Sequence, residues 1–185
     1  MIWEDLKFYK PIEKAELSEA KKSIENIIAE RLASHGFKKL GKKLIRKSND
    51  LIHIIHLDTR GSWMGSSKSL KIEIAIVSIF DTDILVDNFE PISGSYIQDL
   101  EPKLKNYYQI TKEYNLFAEF LSRKIIDIVL PYFDKYSNSK DVLKNGIKIG
   151  ETKNLKLFCD LTNQSNEEQL QLKKEAVFKK LKLKD

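Results

Sequence analysis

The sequence predicts an α+β domain, with helices packed on an antiparallel sheet, and three observations predict it. Apolar residues recur at helical spacing on either side of a central block, and that block alternates at the period of a strand. The order of helix, consecutive strands, then helices also lacks the repeated strand–helix alternation of a doubly wound nucleotide fold. The expected layout is an N-terminal helix, an antiparallel sheet of three to five strands, a long C-terminal helix on one face of the sheet, and an extra C-terminal tail.

Leu17, Ala20, Ile24, Ile27, Ile28 and Leu32 follow the three-and-four spacing of one helical face, with Glu and Lys between them. The spacing predicts a helix over residues 15–34, closed by Gly36, which has no Cβ to oppose a left-handed cap. His35 falls in the last turn, where a cation suits the helix dipole. Residues 51–57, rich in Ile and too short for an ordinary helix, read as a strand that pairs with residues 43–47 across the turn chemistry of Ser48-Asn49-Asp50. Leu70, Ile72, Ile74 and Ile76 alternate with polar or small residues and are assigned to the buried face of a sheet. Residues 58–67 between these strands, with two Gly and three Ser, form a projecting loop that carries Arg60, Trp63 and Met64.

Farther on, Tyr114, Phe117, Ala118, Leu121, Ile125, Ile128, Val129 and Tyr132 make the cleanest helical stripe in the chain. Pro131 is expected to end it, because the residue before a proline is steered away from the α region. A short helix is expected near residues 141–143. Residues 1–146 are thus expected to form a single domain, and residues 147–185 a Lys-rich extension with one strand at 155–158 and one helix from 166 to about 181. A thin strip of Leu170, Lys173, Ala176, Val177 and Leu181 marks that last helix. A fragment ending at Gly146 is expected to fold by itself.

Two motifs stand out: Gly36-Phe37-Lys38-Lys39-Leu40-Gly41 followed by Arg46, and Leu130-Pro131-Tyr132-Phe133-Asp134-Lys135-Tyr136. In these the chain resembles a bacterial family classified only as a domain of unknown function, the 4304 type. Members of that family run from a first helix into a Gly-Phe-Lys-Lys-x-Gly-x-x-aromatic-x-Arg segment and close on a Leu-Pro-aromatic-aromatic helix end. The likeness spans residues 24–146 and departs at Leu44-Ile45, where the family usually carries an aromatic before the Arg. It implies a fold and brings no catalytic residues with it.

Composition narrows the chemistry. The single Cys159 has no intrachain partner, which fits a reducing compartment, and its neighbour Asp160 opposes a reactive thiolate. Acids at Glu4 and Asp5 oppose a secretory signal, and no apolar stretch approaches the roughly 20 residues of a membrane span. A cytoplasmic location and no membrane association are therefore expected. The 32 basic and 27 acidic residues leave a formal charge of +5. Distribution says more than the total: Lys38, Lys39, Lys42, Lys43, Arg46 and Lys47 crowd together, whereas Asp81, Asp83, Asp87, Glu90, Asp99 and Glu101 form an acidic span.

No phosphate loop, nucleophile elbow or Cys-x-x-Cys occurs, and no catalytic residue, metal ligand or cofactor is assigned. His53 and His56, three apart on a strand, point to opposite faces and cannot share a metal. One is expected under a helix with a backbone partner and the other exposed. A nuclease set of Asp58, Lys71 and Glu73 runs in the reverse of the usual acid-x-Lys order. The binding candidates are Lys42, Lys43, Arg46, His56, Arg60 and Trp63. Lys on an edge strand also serves to prevent edge-to-edge association, an alternative reading of residues 38–47. The reading that follows is a non-enzymatic interaction protein with a protein partner, by fold-level analogy of the immunity-protein kind. The alternative is a nucleic-acid-contacting accessory protein using the basic strand and tail.

Overall fold

A sheet of six antiparallel strands organises the computed structural model, which describes residues 3–6, 9–59, 68–82, 93–105, 107–145 and 167–184. Helix α1, Leu17–Ala33, buries Leu17, Ala20, Ile24, Ile28 and Leu32, as its periodicity requires. It stops in a Schellman arrangement: the Phe37 N–H donates to the Leu32 carbonyl at 3.3 Å and the Gly36 N–H to that of Ala33 at 3.1 Å. Gly36 has φ +82, and a Cβ there would meet nothing closer than 3.7 Å. Backbone conformation rather than space therefore selects glycine.

Strands β1 (Lys38–Leu40), β2 (Lys43–Ser48), β3 (Leu51–Asp58) and β4 (Ser69–Ser78) follow in sequence order, and β5 (Ser93–Tyr96) closes the path. The first two hairpins have two-residue loops. Gly41 (φ 59) and Asn49 (φ 53) supply the positive φ that such tight turns need. Helix α2 is a single turn, Ile97–Leu100, and β6, Tyr108–Gln109, pairs with the start of β4. The expectation of three to five strands is corrected to six, because β1 and β6 are too short to show a period of two. The basic run is corrected as well. Its edge portion is β1, while β2, carrying Lys43 and Arg46, is hydrogen-bonded on both sides by β1 and β3.

One face of the sheet presents Leu44, Leu51, Ile55, Leu57, Leu70, Ile72, Ile74 and Ile76 to the main core. Over it lie α1 and a second long helix: α3 (Tyr114–Lys124), a π turn (Ile125–Val129) and α4 (Leu130–Lys135). Arg31 on α1 grips Glu119 on α3 through two nitrogens, at 3.0 and 2.8 Å, outside the apolar seam. Pro131 does not end this helix. Leu130 keeps helical angles (φ −63, ψ −47), and its N–H reaches back to the Ile125 carbonyl. The wider π turn shifts the hydrogen-bond register, so the proline ring falls at the start of a fresh helical segment where its missing donor costs little. The chain leaves α4 at Tyr136 and forms α5, Ser139–Asn145.

The second face is covered too, by the helix of the C-terminal extension. Helix α6, Glu167–Leu181, buries Val177, Phe178 and Leu181 against Ile45, Ile52, Ile54, Val77 and Ile79. Strand β3 is buried on both faces for this reason, and the sequence mark of that position is that its Leu and Ile residues fall on odd and even positions alike. The expected strand at 155–158 lies outside the described residues, as does Cys159.

Candidate functional site

The two motif segments meet in space. Arg46, on β2, donates from Nη2 to Asp134 Oδ1 at 2.7 Å and from Nε to His53 Nδ1 at 3.3 Å. Its guanidinium carbon stands 5.0 Å from the Phe37 ring centroid and 6.0 Å from that of Phe133. His53 is fully buried and stacks on Phe133, with centroids 4.5 Å apart and planes 4° from parallel. Its Nε2 lies 2.9 Å from the Tyr136 carbonyl. A carbonyl only accepts, so Nε2 carries the proton and Nδ1 accepts from Arg46. The cluster clips the end of the long helix to the sheet, and the hairpin tip adds to it. Ser48 Oγ donates to the Ser137 carbonyl at 2.9 Å, and Asp50 accepts from the Ser139 N–H at 2.9 Å at the start of α5. Arg46 is thus placed among partners within the chain.

Burial pushes the His53 imidazole down to about 4 from an ordinary 6.5; the Tyr136 hydrogen bond opposes this, Arg46 adds to the lowering, and Asp134 opposes it. The native state therefore refuses a proton that the unfolded chain accepts below pH 6.5. Stability is complete above that value, falls as the pH drops toward 4, and the loss totals roughly 3 kcal/mol at about 1.4 kcal/mol per unit. Urea melts at pH 7 and pH 4 should show that difference between the wild type and His53→Gln, which keeps a donor for the carbonyl and does not titrate. Equal pH slopes for the two chains would contradict the buried neutral state.

A different set of polar side chains lies on the second face, beyond the end covered by α6. Strand register places Lys43, His56, Glu73 and Tyr96 opposite one another in a single row across β2 to β5. Asp58 and Lys71 form the adjacent pair. His56 Nδ1 donates to Glu73 Oε2 at 2.7 Å, which orients the ring and leaves Nε2 for another partner. The Lys71 ammonium rests 3.4 Å from the centroid of the Tyr96 ring. Asp99, opening α2, accepts from the Tyr96 N–H at 2.8 Å and from Ser95 Oγ at 2.5 Å, and so steadies the end of the row. Of the two strand histidines, His53 is the one with the backbone partner, and His56 is half-buried where the other of the pair was expected to be exposed.

The sequence candidates do not all converge. Lys43 and His56 share the row, and Lys42 lies in the exposed turn beside it. Arg46 belongs to the clip on the other face, while Arg60 and Trp63 lie outside the described residues. Elsewhere in the basic run, Lys39 bonds Asn26 at 2.7 Å and pairs with Glu25 at 3.4 Å on α1, and the Lys47 ammonium sits 4.9 Å from the centroid of Phe178. The six cations are therefore dispersed over both faces instead of forming one patch. Glu73, Lys71 and Tyr96 were not singled out as binding residues. For Lys71 and Glu73 the available signal was their place on the β4 positions that alternate with the core residues Leu70, Ile72, Ile74 and Ile76, whereas Tyr96 lies on β5. Among the described residues no group of three or more His, Cys, Asp or Glu side chains is arranged to hold a metal ion. No helix among them is long and apolar enough to cross a membrane.

Fold and site together define an α+β protein with an open six-stranded antiparallel sheet, an Arg–His–Asp clip around the buried His53 on one face and a mixed-charge row on the other. Comparisons with family models, curated proteins and solved structures returned no match. The clip gives a physical reason for the two motif segments to occur together in this chain.

Proposed function

We propose that this chain is a non-enzymatic interaction protein whose contact surface is the polar row on the second sheet face with the adjoining Lys42 turn. The observation that carries this reading is the in-register row of Lys43, His56, Glu73 and Tyr96. It mixes a cation, an imidazole and a carboxylate, includes an aromatic under the Lys71 cation, and is held by strands. Preorganised side chains of this kind lose little entropy on binding, and Tyr is enriched among the residues that dominate protein interfaces. Mixed charge favours a protein partner of complementary pattern over a polyanion, because Glu73 and Asp58 stand among the cations. A partner-neutralising role of the immunity-protein kind is the form this takes by fold-level analogy.

The reading is tested in cells by a photoreactive residue at Tyr96 or Lys42 and, as control, at Arg123 on the outer side of α3. The expected result is one protein adduct of defined mass from the first two positions and none from the third. Equal adducts from all three positions, or none from any, would overturn it. The nucleic-acid reading predicts instead micromolar oligonucleotide binding that falls steeply with salt and disappears on reversing the charges of Lys42 and Lys43.

A further inference from the structure

The second face is mixed in composition, but among the described residues the charge it turns outward is mainly positive. Each acid bordering the row is engaged within the chain. Glu73 accepts from His56, Asp58 is 2% exposed and stands opposite Lys71 in register, and Asp99 holds Ser95 and the Tyr96 N–H. The exposed groups beside them are ammonium groups. Lys38 pairs in register with Ile45, which α6 covers, and so takes the same side of the sheet, whereas its neighbour Lys39 turns to Asn26 on α1. Lys38 on β1 and Lys42 in the turn that follows are both exposed, and Lys43 and Lys71 are half-buried within the row. Where α6 covers the adjoining part of this face, residues 176–184 carry four Lys, all exposed, and no acid.

This distribution selects among partners. Ammonium groups spread over one face repel a basic surface and attract a negative one. A nucleic-acid strand matches the charge and little else. Its phosphates form an unbroken line that would pass Glu73. The aromatic of the row also has the Lys71 ammonium 3.4 Å from its centroid, so one side of the ring is already taken by a cation instead of serving as a platform for a base. Carboxylate side chains arrive singly, and a protein segment can set them against Lys38, Lys42 and Lys43 while keeping a donor for Glu73.

We infer that the occupant of the second sheet face is an acidic segment of a protein partner, with carboxylates that meet Lys38, Lys42 and Lys43 beside the row. This rests on the docking reading above and adds to it the partner's chemistry.

Fluorescence anisotropy with the full chain tests it, using three labelled probes: a peptide of alternating Glu and Gly, the same peptide with Gln for Glu, and a single-stranded oligonucleotide of equal charge. The expected result is saturable binding of the Glu peptide in preference to the other two. Lys38→Glu or Lys43→Glu should weaken it about fivefold, and Lys22→Glu on the exposed side of α1 should leave it unchanged. Lys38 is exposed, so its variant should melt like the wild type and keep the test independent of folding. Equal binding of the Gln and Glu peptides overturns the inference, and so does a Glu peptide indifferent to Lys38→Glu. An oligonucleotide that binds more tightly through the same lysines overturns it in favour of nucleic acid. The photoreactive Tyr96 position keeps the two readings apart. A single protein adduct there, with no preference for the Glu peptide, leaves the docking surface standing and removes the acidic partner, whereas the absence of any adduct removes both.

Discussion

Ile125→Asp and Ile74→Asp are each expected to leave no cooperatively folded protein. Ile125 is 0% and Ile74 2% exposed, and both belong to the cluster that joins the sheet to α1 and the long helix. The new carboxyl would have no partner there and would be forced neutral. A shift of 3–5 pKa units alone costs roughly 4–7 kcal/mol, and the lost isoleucine adds about 2–5 kcal/mol more. Total stability of domains is about 5–15 kcal/mol, so the sum reaches or exceeds what is available. Circular dichroism melts give the answer, with Lys22→Asp on the exposed side of α1 as the charge control. If either core variant melts like the wild type, that residue does not occupy the sheet–helix interface.

Both long helices and the central hairpin were legible because each carries its own period. Leu17 to Leu32 and Tyr114 to Val129 recur every three or four residues, and Leu70 to Ile76 every two, so local spacing alone names the element. Pro131 was misread because the rule for residues before proline is local. The π turn that accommodates it depends on the register of the preceding helix, which no short window reveals. The clip was half legible. Both of its motifs were visible, and one of the two strand histidines was expected under a helix, but the Arg46–Asp134 contact joins residues 88 apart in the chain. The polar row was the least legible part, since Lys43, His56, Glu73 and Tyr96 come from four strands and only strand register assembles them. Sequence periodicity says which face a residue takes, and pairing says whom it meets there.

The C-terminal helix illustrates the same limit at the level of the core, and it leads to the remaining large effect. Its apolar strip is thin, which makes a chain ending at Gly146 look self-sufficient, with all six strands and the first five helices retained. Yet Ile45, Ile52, Ile54, Val77 and Ile79, each at most 6% exposed, lie on the face that α6 covers. Removing the helix returns one side of these five residues to water. Taking about half of the ~1.5–3 kcal/mol for a fully buried side chain, the loss is on the order of 5 kcal/mol. That corresponds to a melting point lower by about 10–20 °C. The bared patch of isoleucine and valine would also favour association between copies. Phe178→Ala in the full chain separates helix docking from any other effect of truncation, and should cost about 3 kcal/mol because the ring packs on this cluster and on the Lys47 ammonium. A truncated chain that melts within a few degrees of the intact one, together with a neutral Phe178→Ala, would show that α6 contributes nothing to the stability of the sheet.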